Sequence, residues 1–210
     1  MYASSDLPRS PDLEGAQAVK ILIAGGFGVG KTTLVSSVSE IKPLRTEERL
    51  SELGAGIDDL TGVGTKTTTT VALDFGRITI NSDVVLYLFG TPGQERFWFM
   101  WKELSVGALG AIVLADTRRL SDCFGAVDFL ETRNIPFIVA VNCFDGADIY
   151  DEDEVRQALD IGAHVPVRHC DARDRRSSKQ VLVLLLEYLV ATEMAAGEQP
   201  ASSWPASRPR

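Results

Sequence analysis

The chain has 210 residues, 45% hydrophobic and 24% charged, enough for one domain with a sizeable core. Its formal net charge of −8 excludes unspecific nucleic-acid binding, which needs basic surface to displace counterions. No apolar run, VLVLLLEYLV (181–190) included, is long and uninterrupted enough to span a bilayer.

In chain order, residues 1–17 are rich in Ser, Pro and Ala and read as a tail without the basic-then-apolar layout of a signal peptide. The domain occupies 18–195, and 196–210 form a second tail. VKILIA (19–24) predicts a buried strand and KTTLVSSVSEI (31–41) a helix. The polar segment 42–66 fits neither template and reads as a long loop with one short helix around 47–53. TTVALDFGRITI (69–80) and DVVLYLF (83–89) are strands joined by a turn at Asn81 and Ser82. GAIVLAD, PFIVAVN and HVPVRHC supply three more strands, with helices at 120–132, 151–159 and 177–192. Continuous Val/Ile/Leu strands separated by helices imply an α/β fold, a mostly parallel six-stranded sheet covered on both faces. Cys123, Cys143 and Cys170 lack metal-ligand spacing and read as reduced thiols, so a cytoplasmic location is expected.

Between the first strand and first helix lies GGFGVGKTT, a full match to the phosphate loop G-x-x-x-x-G-K-T. Glycines let successive N–H groups turn inward, where the positive end of the next helix also points. Gly25, Phe27, Gly28, Val29, Gly30, Lys31, Thr32 and Thr33 are therefore the candidates for holding phosphates. Lys31 neutralises β/γ oxygens in this reading, and the Thr32 hydroxyl ligates Mg²⁺.

At TPGQERF (91–97) the chain resembles the Ras-like small GTPases, whose second switch reads D-x-x-G-Q. The resemblance implies a P-loop NTPase G domain in which the Gly93 N–H meets the γ-phosphate and Gln94 orients attacking water. Upstream, Thr70 and Asp74 resemble the T-x-x-x-D-F of the first switch, making Thr70 a second Mg²⁺ ligand and γ-phosphate sensor. A threonine tract opening a β-branched strand is the plain alternative. Asn142-x-x-Asp145 resembles N-K-x-D, with Cys143 in place of the lysine, and Asp171-Ala172-Arg173 stands where the family has S-A-K. Asp145 would accept from guanine N1–H and the 2-amino group, a donor pair adenine lacks, and the Ala172 N–H would meet O6.

Departures from the pattern carry expectations too. Gly90 stands where the second switch has its metal-holding aspartate, and Asp116 is a possible substitute, with a turn role as its default. Phe27 is bulky where the loop is normally small; it either obstructs water and an arginine finger or packs against its own switch segments. Within the long stretch from Lys31 to Thr70, Arg45 and Arg49 are candidate fingers or a solvated helix face.

This combination is similar to the bacterial conservon-type GTPases, relatives of the gliding-motility GTPase MglA. That likeness implies a roadblock-type protein partner at the switch regions. The aromatic run after Gln94 also points to a partner: Phe97 and Trp101 suit the core, leaving Trp98 and Met100 outward. The expected function is a GTP/GDP molecular switch with slow intrinsic hydrolysis, needing Mg²⁺. The alternative is a nucleotide-locked scaffold without significant hydrolysis. An ATP-dependent kinase is disfavoured, because no lid or acceptor site is evident.

Overall fold

The computed structural model describes residues 15–42, 44–50, 69–94 and 97–197. In chain order these form β1 (Gln17–Gly25), α1 (Lys31–Val38), β2 (Leu44–Leu50), β3 (Thr69–Thr79), β4 (Val84–Gly90) and α2 (Phe99–Ser105). There follow β5 (Ala108–Ala115), a 3₁₀ segment (Thr117–Cys123), α3 (Phe124–Thr132), β6 (Phe137–Asn142), α4 (Glu152–Ala158), β7 (Val167–Cys170) and α5 (Arg175–Gly197).

The sheet runs β2-β3-β4-β1-β5-β6-β7. β1 pairs parallel with β4 and β5, and β6 pairs parallel with β5 and β7. β3 is antiparallel to both β4 and β2. All six expected strands are present, and the mostly parallel α/β architecture is that of a P-loop G domain.

The seventh strand corrects the reading of 42–66. The backbone of Leu44–Leu50 pairs with β3 from Leu44↔Phe75 to Leu50↔Thr69, so residues 47–50 are strand and not helix. Glu and Arg favour a helix locally, but the unpaired edge of β3 offers a full row of backbone partners, and a charged sequence suits an edge strand. The rest of that stretch, including 51–53, lies outside the described residues. Helix α1 also stops at Val38 and not at residue 41, because Ser39 turns extended (φ −60°, ψ 139°). The last helix is longer than expected and reaches Gly197.

Side chains alternate across a strand, so each buried strand feeds two cores. Ile21 and Ile23 join Leu86, Leu88, Ile112 and Leu114 beneath α1 and α5. Leu22 and Ala24 join Val113, Val139 and Val141 beneath α3 and α4. Burial on both faces is why these strands read as unbroken apolar runs. Ile112 is fully buried. Ile112→Val should therefore cost about 1 kcal/mol of unfolding free energy, read as a lower urea midpoint at unchanged slope. Helix α5 absorbs the 181–190 run; no helix among the described residues is long and apolar enough to cross a membrane.

Strand order reverses direction on either side of β1, which places a crevice at the carboxyl ends of β1, β5 and β6.

Candidate functional site

The chain leaves β1 at Gly25 and folds over the crevice with Gly25, Gly28 and Gly30 at φ +130°, +73° and +106°, a left-handed region that side chains disfavour. Gly30 then caps α1. Lys31 bends back under the loop, its Nζ donating to the carbonyls of Gly25 (2.9 Å) and Gly26 (2.6 Å). Burial pushes its ammonium down to about 8, although the Asp74 charge pulls it upward. The Phe27 ring is 63% exposed. The Phe27 backbone nitrogen lies against the Gly93 segment, while the side chain stays largely in solvent.

The segment after β4 crosses directly beneath this loop. Thr91 N–H continues the β1 pairing through the Ile23 carbonyl (2.9 Å). At Gly93 a methyl group would come within 2.6 Å of Lys31 Nζ and 2.8 Å of both Gly26 O and Phe27 N. Only hydrogen fits there, and Gly93 is thereby seated against the cation. Trp101 holds the segment from below, its indole N–H donating to the Pro92 carbonyl (2.9 Å) while its ring meets Phe129 edge-on. Gln94 begins the turn into α2, its carbonyl accepting from Phe97 N–H (3.0 Å).

Phe97 and Trp101 are buried as expected, but Met100 is buried as well, and Phe99 is the outward residue at 63% exposure. A turn at residues 97–98 delays the helix to Phe99 and shifts its phase. Trp98 is partly exposed and lies across Gly125 at the start of α3.

The carboxylate missing at Gly90 arrives from the next strand. Asp74 on β3 is the cross-strand partner of Gly90, and a Cβ at Gly90 would lie 2.9 Å from the Asp74 Cβ. Asp74 is buried, and its Oδ2 accepts from Thr32 Oγ1 at 2.5 Å. A half-buried hydroxyl and a buried carboxylate beside a phosphate loop are hard oxygen donors of the kind Mg²⁺ takes. Among the described residues no cluster of three or more His, Cys, Asp or Glu could hold a metal. Two protein oxygens fit an ion that completes its octahedron with phosphate and water, so the residues present suit Mg²⁺. Thr70 lies on the same strand as Asp74, opposite Arg49, and the plain strand reading therefore describes its backbone. Arg45 and Arg49 belong to β2 and not to a solvated helix.

Asp116 does not replace the missing group. Its carboxylate is gripped by Arg118 Nε (2.9 Å) and Nη2 (2.8 Å) and accepts from the Arg118 N–H, which holds it below the usual carboxylate range. Arg118 in turn lies 4.0 Å over the Phe144 ring, and Arg119 donates to the Phe27 carbonyl (3.1 Å). Asp116 thus clamps a connection between the phosphate loop and the loop after β6.

Asn142, the last residue of β6, joins three segments through one amide. Its Nδ2 donates to the Val29 carbonyl (2.9 Å), and its Oδ1 accepts from Ala172 N–H (3.0 Å). The Ala172 N–H, expected to meet a base oxygen, is committed to Asn142 here. Cys143 is half-buried, its N–H donating to the Cys170 carbonyl. Asp145 is almost fully exposed, and Arg173 faces it with two hydrogen bonds while holding Asp171 with two more. A shallow depression lined by Thr32, Thr33, Ser36, Ser37 and Arg173 places this cluster beside the first turn of α1. The larger clefts lie along α5, away from the loop.

The structure therefore gathers Lys31, Thr32 and Gly93 at one end and Asp145, Asp171 and Arg173 at the other. The sequence motifs pointed to no role for Asp74 or Arg119, and placed Trp101 in the core without its hydrogen bond to Pro92. For Asp74 a signal existed: it shares the buried stripe of β3 with Gly76 and Ile78, an unusual place for a carboxylate.

Residues 23–192 match the family described as "conserved hypothetical ATP binding protein". The uncharacterized protein MJ1339 of Methanocaldococcus jannaschii is 33% identical over 139 residues, 65% of this chain and 77% of its own length. The G domain of the T. maritima FeoB iron transporter superposes with a TM-score of 0.55 at 20% identity, over 84% of this chain and 99% of that one. The FeoB G domain from Methanococcus jannaschii gives 0.55 at 13% identity, over 83% and 99%. At such identities the two structures establish the fold alone.

Proposed function

Since the chain belongs to the family described as conserved hypothetical ATP binding proteins and has a G-domain fold, we propose that it is a guanine-nucleotide switch. One observation carries the choice of base. The exposed Asp145 carboxylate stands on the loop after β6, in a frame that Asn142 ties to the phosphate loop. A carboxylate there accepts from guanine N1–H and the 2-amino group together, and adenine leaves it unpaired.

The reaction in this reading is in-line attack of water on the γ-phosphate. Gln94 orients the water, Lys31 stabilises charge developing on the phosphate oxygens, and the Thr70 hydroxyl and Gly93 N–H respond to the γ-phosphate. Mg²⁺, held by Thr32 with Asp74, would supply charge compensation, and Thr70, four residues along the extended strand from Asp74, would join them only after that strand rearranges around the γ-phosphate. Phe27 at the loop mouth obstructs an incoming finger, so intrinsic turnover is slow. The output is a changed affinity for a protein partner, of the roadblock type that the likeness to conservon-type and MglA GTPases implies. Phe27 and Phe99 present the aromatic surface for it.

The test is nucleotide affinity by calorimetry. The native chain should prefer GDP to ADP, and in Asp145→Ala that preference should fall by about tenfold, the loss of charge-assisted hydrogen bonds at an exposed site. ADP binding as tightly as GDP would instead favour the ATP reading that the family description suggests. Single-turnover conversion of bound GTP separates the switch from the locked scaffold, which would leave GTP intact.

A further inference from the structure

The side chain that holds Asp145 is Arg173, and the manner of holding is specific. Arg173 Nη1 lies 3.1 Å from Asp145 Oδ2 and Nη2 3.2 Å from Oδ1, a two-pronged grip on one carboxylate. Its Nε and Nη2 make a second fork with Asp171, at 2.9 Å and 3.0 Å. Asp171 is itself fixed: its Oδ1 also accepts the Arg173 N–H (2.9 Å), and its own N–H donates to Ser177 Oγ (3.0 Å). The guanidinium is thus mounted on Asp171 and applied to Asp145.

The chemistry of the two competing donors is the same. The hydrogen-bonding edge of guanine is N1–H, C2 and the exocyclic amino group, a planar H–N–C–N–H unit. A guanidinium presents that unit to a carboxylate with the same spacing and a positive charge. We propose that Arg173 is a built-in competitor of the base: it occupies the reading carboxylate and must withdraw onto Asp171 before guanine pairs. This rests on the assignment of Asp145 as the base reader. Arg173 is therefore a residue that sets nucleotide affinity and entry rate, not a stacking prop for the ring.

The Asp171 fork makes withdrawal feasible, because two of the four contacts survive it. The Arg173 and Asp145 side chains are 56% and 88% exposed. A pair so exposed is worth little, so its release should change binding only about twofold to fivefold.

The experiment is stopped-flow association and dissociation of GDP carrying a fluorophore on its ribose, with the full chain and four variants. Arg173→Lys keeps the charge but loses the planar fork. It should associate about twofold to fivefold faster, with a correspondingly lower Kd. Arg173→Ala should also gain, although loss of a positive charge by itself would slow the approach of an anionic nucleotide. Slower or unchanged association in both variants overturns the proposal, since a residue that packs on or attracts the nucleotide would give that sign. In the background of Asp145→Ala, adding Arg173→Ala should bring no gain; a persisting gain places the action of Arg173 elsewhere and also overturns it. Asp145→Ala alone, compared for GDP and ADP, tests the underlying base assignment, so a failure there is distinguishable from a failure of the competitor.

Discussion

Replacing Lys31 by methionine should weaken GDP binding about a thousandfold, a loss expected when a preorganised cation facing phosphate oxygens is removed from a water-poor site. The Lys31 ammonium is buried beneath the loop and, among the described residues, donates to the carbonyls of Gly25 and Gly26. Those neutral acceptors compensate its desolvation poorly, and burial holds its pKa near 8. Methionine fills the same space without the charge, so the variant should melt no lower than the native chain while binding fails. Calorimetric affinity and a thermal melt on the same sample check both halves.

The lowered pKa gives the prediction a pH signature. The ordinary lysine value is 10.5, and the folded value is about 8. Between those two pH values the unfolded chain carries more protons at this position, so the Lys31 contribution to stability rises as pH climbs through that window. Nucleotide binding has the opposite sign, because phosphate requires the protonated form. Affinity should be constant below about pH 8 and decline above it, until the pKa of the complex is passed. Titrations from pH 7 to 9.5 decide the point; a flat profile would mean that Lys31 does not face the phosphates.

Asp74→Asn is the second large effect. Asparagine can still accept from Thr32 Oγ1, so the change removes the charge and leaves the 2.5 Å contact an acceptor. Groups that orient or neutralise a bound metal typically contribute 10- to 100-fold to its affinity, and about a hundredfold loss in Mg²⁺ affinity is expected here. The readout is GDP dissociation with and without a chelator. Native protein should release GDP faster when Mg²⁺ is withdrawn, and the variant should release it at nearly one rate in both conditions. Asp116→Asn should leave the Mg²⁺ dependence intact, because that carboxylate is committed to Arg118.

The contrast between these two aspartates indicates what the amino-acid order discloses. The phosphate loop is legible because its chemistry is local: the glycines, Lys31 and Thr32 act within eight consecutive residues flanked by a strand and a helix. The six apolar strands are legible for the same reason, since burial on both faces leaves a continuous signature. Asp74 opposite Gly90 is a non-local fact that depends on the register between β3 and β4. One residue of slip would turn Asp74 to the other face. The edge strand β2 was equally hidden, because its RTEER core has the composition of a helix and only the neighbouring strand makes it extended. Met100 is buried where an outward side chain was expected, because the phase of α2 depends on where the helix starts, which propensities do not resolve.

The strut built on Asn142 has a consequence for how ligand fragments would behave. A single amide fastens the loop around Val29 to the loop around Ala172 before anything is bound. The backbone at both ends of the crevice is then held at a fixed separation, so that once Arg173 has left Asp145 a base-only or a phosphate-only molecule meets the same frame as the intact nucleotide. Guanosine and pyrophosphate should thus neither help nor hinder one another, and the whole nucleotide should gain chiefly from the covalent link between its two halves.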